Sequence, residues 1–274
     1  MKTLSLSISP CPNDTFMFDA IVNSKINLRG YKFDCVFEDI DTLNCNIKNR
    51  LVDISKISYA AYPKVSDSYN ILSSGSALGR GNAPLLVSRM NIYPDEVACC
   101  RVAIPGYETT AALLLKYAFG QVKELKQYLF SDVAEAVLTG ETDAGVLIHE
   151  ERFVYKQKSL RLVADLSDMW NAKINLPIPL GAIVVNKQLD AHVQQDINAI
   201  LKESIEFAFN DMRLSWRFVK EHARYMQDSV IEQHIKMFVN KFSLDIGEEG
   251  MKAVLELLKI ADSEKEFDNS IFVK

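Results

Sequence analysis

His149 follows the apolar run Ala144-Gly145-Val146-Leu147-Ile148 and precedes Glu150 and Glu151. Such a run reads as a buried strand. A histidine at its end stands where an imidazole can exchange protons near neutral pH. The plainer alternative is a strand-end histidine tied to a backbone carbonyl. Position 153 is Phe153, so the H-E-x-x-H zinc pattern is missing, and no G-x-S-x-G elbow occurs. The chemistry expected of His149 is that of a general base, with no metal or other cofactor called for.

Four further groups carry polar side chains where a ligand could meet them. Asn13, Asp14 and Thr15 stand at one predicted helix start, and Thr109 and Thr110 at another. Helix starts leave backbone N–H groups unpaired, and these favour caps or negatively charged ligands. Adjacent threonines allow one hydroxyl to cap while the other faces a ligand. Lys56 and Ser58 lie in Ile54-Ser55-Lys56-Ile57-Ser58-Tyr59, a strand in which an unpaired buried lysine would be costly. They point either to a solvated edge or into a cleft. Arg80, in the glycine-rich stretch Ser76–Asn82, could reach a carboxylate or simply sit at the surface. That stretch matches neither a Walker loop nor a dinucleotide fingerprint and reads as a loop that orders on closure. His192, His222 and His234 fall in the helical C-terminal region and are expected to be solvated.

The elements that must position these residues alternate. Strands are expected at Leu4–Ile8, Tyr31–Phe37 and Val52–Ser58, with helices at Thr15–Val22, Thr42–Lys48 and Tyr59–Val65. Short strands follow at Ile71–Leu72 and Leu85–Ser88. A second series has strands at Arg101–Ile104, Gln127–Phe130 and Ala144–Ile148, with helices at Thr109–Phe119 and Ser131–Thr139. Leu160–Asp165 and Gly181–Asn186 add two strands, and Leu189–Ala261 is mainly amphipathic helix. The two series share spacings. Pro10 precedes Thr15 as Pro105 precedes Thr110, and Asp53 precedes Ser58 as Asp143 precedes Ile148. This predicts an α/β protein of two similarly wired lobes, residues 1–90 with 180–274 and residues 91–179. Strands near Leu86–Arg89 and Ile183–Asn186 would cross between them as a hinge. Ligands of open α/β sheets bind at the carboxyl ends of the strands.

The totals narrow the partners. A net charge of −5 and a pI near 5.5 argue against a nucleic-acid face, so an anionic ligand must be held by local donors. There is no run of about 18 uncharged apolar residues to span a membrane, and the first residues lack the pattern of a signal peptide. The five cysteines are odd in number and lack C-x-x-C pairs, which reads as free thiols in a reducing compartment. A cytoplasmic protein acting on a small carboxylate is expected. Whether Cys11 touches the ligand, and how many chains assemble, are left open.

Several blocks resemble the 1,4-dihydroxy-6-naphthoate synthase family of the futalosine route to menaquinone. They are Ser9-Pro10-Cys11-Pro12-Asn13-Asp14-Thr15-Phe16, Glu38–Asn44, Lys56–Tyr62, Gly75–Gly81, Ile148-His149-Glu150, Leu176–Ala182 and Phe242–Gly250. The resemblance implies a periplasmic-binding-protein-like type II fold, two lobes joined at a hinge. It implies a carbon–carbon lyase that converts cyclic dehypoxanthinylfutalosine to 1,4-dihydroxy-6-naphthoate and dihydroxyacetone. It also implies His149 as base and substrate contacts at Lys56, Ile57 and Ser58 and at Thr110 and Ala111, with Thr109 adjacent. Tyr107-Glu108 stand where such relatives are often basic. Chorismate dehydratase and a non-catalytic solute-binding protein of the same fold are the alternatives. The former is disfavoured by the Pro-Cys-Pro-Asn-Asp-Thr opening, the latter by the absence of a secretion signal.

Overall fold

In a computed structural model, which describes residues 2–49, 52–223 and 227–273, the strands fall into two sheets. The first series is β1 (Lys2–Ile8), α1 (Pro12–Val22), β2 (Tyr31–Phe37), α2 (Ile40–Asn46) and β3 (Ile54–Ser58). β1 lies between β2 and β3 and runs parallel to both. β4 (Tyr69–Leu72), β5 (Ala77–Gly79) and β6 (Leu85–Ser88) follow. The second series repeats the first as β7 (Arg101–Ile104), α3 (Thr110–Phe119), β8 (Glu124–Gln127), α4 (Val133–Leu138) and β9 (Ala144–Leu147). Here β7 lies between β8 and β9, parallel to both. The chain continues through α5 (Glu151–Val154), β10 (Arg161–Asp165), α6 (Ser167–Lys173) and β11 (Ile178–Asn186). It closes with α7 (Ala191–Asn210), α8 (Arg213–His222), α9 (Asp228–Phe238), α10 (Lys241–Leu244), α11 (Gly247–Ala261) and β12 (Phe272–Val273).

The strand orders make the repeat explicit. The first sheet runs β2-β1-β3-β11-β4-β12, with β5 also on β11, and the second runs β8-β7-β9-β6-β10. In each, one strand lies antiparallel to the third of the series, β11 on β3 and β6 on β9. The two aspartates noted in the sequence do the same job twice. Asp53 accepts from the backbone N–H and hydroxyl of Ser5 at 2.8 and 2.9 Å, and Asp143 from the backbone N–H of Arg101 at 2.8 Å. Each ties the start of its own strand to the middle strand of its parallel series.

β6 corrects the expected lobe boundary. Its residues pair with β9 from Leu85 against Leu147 to Ser88 against Ala144, so it belongs to the second sheet. β11 lies wholly in the first. The chain therefore crosses between sheets at 80–84 and 166–177, not at Leu86–Arg89 and Ile183–Asn186. An apolar run of four residues is equally at home in either sheet; only its register decides.

Other corrections are local. α1 begins at Pro12, three residues before the expected start, because proline with its fixed φ suits the first helical position. Ten of its eleven residues, Pro12 to Ile21, are buried, packed among Leu4, Leu6, Ile8, Ile197 and Ile205. β8 ends at Gln127 where a strand to Phe130 was expected, its length set by pairing with Arg101–Ile104. The glycine-rich stretch is no loose loop: Ala77–Gly79 forms β5 against Ile178–Gly181, and Ser76 to Gly79 are buried. Phe209, at the end of α7, is 41% exposed. No helix among the described residues is long and apolar enough to cross a membrane.

Candidate active site

A cleft opens where β1, β3, β7 and β9 end, with about 600 Å³ of empty space including its mouth, the scale of a small-molecule site. Of the residues singled out from sequence, Asn13, Lys56, Ser58, Thr109, Thr110, Ala111 and His149 line it. Ile57 does not. It is fully buried in the core on the opposite face of β3, as strand alternation requires of the residue between Lys56 and Ser58. Thr15 is also fully buried, its hydroxyl bonded back to the Cys11 and Pro12 carbonyls at 3.1 and 3.3 Å. Arg80 lies outside the cleft at the surface, held by Asn175 and Glu249 at 3.2 Å.

Lys56 is buried and satisfied. Its ammonium meets Asp14 Oδ1 at 2.8 Å, and the same carboxylate accepts from Asn13 Nδ2 at 2.8 Å and from the Ser9 hydroxyl at 2.6 Å. Asp14 is thus a partner behind the lining, where sequence reading expected a ligand contact or a cap. Ser58 accepts from Asn44 Nδ2 at 3.0 Å, while its backbone N–H donates to Asn44 Oδ1 at 2.8 Å. With the acceptor side occupied, the serine proton is free to point at a ligand oxygen.

The two threonines divide differently from expectation. Thr109 caps α3: its hydroxyl accepts from the Ala112 N–H at 3.2 Å and donates to the Gly106 carbonyl at 2.7 Å. Thr110 does not turn its hydroxyl to a ligand. That group donates to the Leu180 carbonyl at 2.9 Å and accepts from the Ala60 N–H at 3.3 Å, joining elements of the two sheets. What α3 offers the cleft is backbone, because the N–H groups of Thr110 and Ala111 have no intrahelical acceptor.

His149 is half-buried on the cleft wall with φ +51°, a left-handed conformation uncommon for a side-chain-bearing residue. The turn swings the imidazole off the end of β9. The ring meets Phe130 edge-on at 5.1 Å and lies parallel to His234 at 5.9 Å, with 4° between the planes. Desolvation holds its pKa down at about 4; nearby Asp14 opposes the shift and Lys56 adds to it. At neutral pH the ring is therefore unprotonated, the state a base requires. Cys11 Sγ, a His149 ring nitrogen and a Glu150 oxygen lie within 4.8 Å of one another. Burial, then Glu150, pushes the Cys11 pKa well up, which keeps it a thiol. Cys11 stands just before α1, its side chain making no capping bond, and does not line the cleft.

Sequence reading missed three residues. His234, expected in solvent, is fully buried. Its Nε2 meets Asn13 Oδ1 at 2.9 Å and its Nδ1 faces Glu150 Oε2 at 3.6 Å. The signal was present: Ile231, His234, Ile235 and Phe238 share one helical stripe, all buried. Asn44 lay within a block of family resemblance, but nothing local marked it as the partner of Ser58. Arg152 sits at the start of a four-residue helix among charged neighbours and gave no signal at all, yet it lines the cleft. His222 is wedged between Phe37 and Phe218, both at 4.4 Å, while His192 is exposed as expected.

Comparison with known proteins identifies the family. Residues 4–263 match the model of a family described as "Menaquinone biosynthesis". The chain is 39% identical over 264 residues to the 1,4-dihydroxy-6-naphthoate synthase of Thermus thermophilus, covering 96% of this chain and 95% of that protein. The crystal structure of protein AF1704 from Archaeoglobus fulgidus superposes with a TM-score of 0.90 at 32% identity, covering 96% and 97% of the two chains. The periplasmic aliphatic sulphonate binding protein of Escherichia coli, at 11% identity and a TM-score of 0.68 over 100% and 92%, shares the fold alone. The expected periplasmic-binding-protein-like α/β fold is thus the one observed. Matched across nearly its whole length by both the family model and a naphthoate synthase, the chain belongs to the menaquinone-biosynthesis family.

Proposed function

We propose that the chain is a carbon–carbon lyase converting cyclic dehypoxanthinylfutalosine to 1,4-dihydroxy-6-naphthoate and dihydroxyacetone, with His149 as general base. The observation that carries this reading is a desolvated imidazole on the wall of a small-molecule cleft that Lys56, Ser58, Thr110 and Ala111 also line. In the proposed reaction His149 takes a proton from a substrate hydroxyl or carbon, the C–C bond to the three-carbon fragment breaks, and the imidazolium returns the proton to the carbon that keeps the bonding pair. The electron-rich intermediate is steadied by the Ser58 hydroxyl, the Lys56 ammonium and the α3 backbone N–H groups. An imidazole with pKa about 4 is always available as a base at neutral pH but is intrinsically weak. Negative charge arriving with the substrate strengthens it, by favouring the imidazolium in a site that excludes water.

The reading includes a cytoplasmic location, supported by the five free cysteines. The test is incubation of purified protein with cyclic dehypoxanthinylfutalosine, following naphthoate fluorescence, with chorismate as the parallel substrate. Naphthoate formation is expected, with a loss of about 10²- to 10⁴-fold in His149→Ala. Consumption of chorismate would favour the dehydratase. Tight binding without turnover would favour a solute-binding role.

A further inference from the structure

Two side-chain cations line the cleft among the described residues, and they differ in one respect. Lys56 has its counter-charge in Asp14 at 2.8 Å. Arg152, only 9% exposed, makes no ion pair among the described residues. Its Nη1 meets the Met237 sulfur at 3.0 Å and its Nη2 the Gly81 carbonyl at 3.3 Å, while the guanidinium lies 5.9 Å from the Phe153 ring. Its acidic neighbour Glu151 is 2.7 Å from Lys158. A guanidinium has five N–H donors in a planar fork and stays charged at any physiological pH. Thioether sulfur is a weak acceptor, so most of that donor capacity is unused. Asp165 acts on the guanidinium only through space and not as an ion pair; burying a cation with no anion in contact is costly, and the arrangement makes sense if the anion arrives with the ligand.

We infer that Arg152 is the carboxylate subsite of the cleft, and that it selects aromatic carboxylates over neutral analogues of the same shape. Ile148, Leu180 and Phe238 supply apolar wall for the ring system. With the carboxylate on Arg152, the Ser58 hydroxyl and the α3 N–H groups are left for the hydroxyl and carbonyl oxygens nearer the reacting bond. The inference rests on the reading above for the identity of the substrate, and on the geometry for its charge.

The test compares binding of 2-naphthoate and 2-naphthamide by calorimetry. The wild type is expected to favour the acid by about ten- to a hundredfold. Arg152→Gln should bring the ratio close to one with amide affinity unchanged, and Arg152→Lys, which keeps the charge but loses the fork, should fall between. A second measurement needs no variant: 2-naphthoate, and not the amide, should protect Arg152 from an arginine-selective dicarbonyl reagent, read by peptide mapping. A wild-type ratio near one, an unchanged ratio in folded Arg152→Gln, or equal protection by both ligands overturns the inference. Arg152-dependent acid binding without turnover of cyclic dehypoxanthinylfutalosine would sink the proposed reaction and leave the subsite standing. Turnover with a ratio indifferent to Arg152 would do the reverse.

Discussion

An imidazole held near pKa 4 sets the acid limb of the pH profile. His149 in the folded protein releases its proton below the pH at which a free histidine does. In the free enzyme kcat/KM should therefore be flat from neutral pH down to about 5 and fall only on approach to pH 4. A limb centred near 6.5 would place the imidazole in water. The same shift has a stability consequence of fixed sign. The folded pKa is depressed, so between about 6.5 and 4 the unfolded chain binds the extra proton and stability declines as pH falls. His234 is pushed down too, well below the ordinary value, by burial first and then by His149, Lys56 and Arg152, and adds to that decline. Replacing it tests whether the parallel ring matters to the base. His234→Ala should destabilise by about 2–4 kcal/mol through the lost ring and the stranded Asn13 amide. It should also lower kcat more than it raises KM, since Asn13 and His149 both lean on it. At this scale the sequence was readable where local pattern and chemistry coincide. His149 ends an apolar run and Lys56 interrupts one. It was unreadable where only the fold makes the neighbour: Asp14 lies against Lys56 across 42 residues, and Asn13 against His234 across 221. Arg80 and Arg152 show the same limit from both sides, since a guanidinium reads identically in sequence whether it faces a cleft or bulk water.

The elements carry their own test in Gly181 of β11. A Cβ there would lie 2.7 Å from Lys56 Cε and 3.2 Å from the Ile57 carbonyl oxygen, so the lysine must move. Moving it separates a buried ion pair and leaves Asp14 with an unmatched charge. Gly181→Ala should lower Tm by several degrees and weaken ligand binding by tenfold or more, read by a thermal melt and a titration. The Thr109 cap is a milder case; Thr109→Ala should cost about 1 kcal/mol in denaturant unfolding. Most elements were legible because apolar residues recur at the right period: Leu4, Leu6 and Ile8 on β1, and Ile197, Ile200, Leu201 and Ile205 on α7, are all buried. α1 was misjudged at its start because a segment buried on nearly every side has no polar face to show where the helix begins.

Across the whole molecule, Glu108 accounts for the departure at Tyr107-Glu108. Its carboxylate bridges Lys48 and Lys64 of the first series, each at 2.6 Å. Burial pulls its pKa upward, but hydrogen bonds from the two lysines win and leave it below the usual carboxylate range. Gln127 reaches Asp41 at 2.6 Å beside it. These contacts join the two halves at the rim of the cleft. Glu108→Gln should leave overall stability within about 1 kcal/mol, because the lysines are partly exposed and screened. It should raise KM, and high salt should mimic the change in the wild type. The two-lobed plan was legible from the repeated spacings of Pro10 with Thr15 and Pro105 with Thr110. The crossing points were not, because the exchange of β6 and β11 leaves no mark in local sequence.

That exchange also orders events in time. The second sheet draws all its strands from 85–165, one unbroken stretch, whereas the first cannot place β11 between β3 and β4 until Ile178–Asn186 has been made. A chain leaving the ribosome amino end first will therefore hold β1 to β4 without their central neighbour while the middle of the molecule is already closing. Arrested nascent chains should gain protease resistance in the middle before the beginning, reversing the order of synthesis.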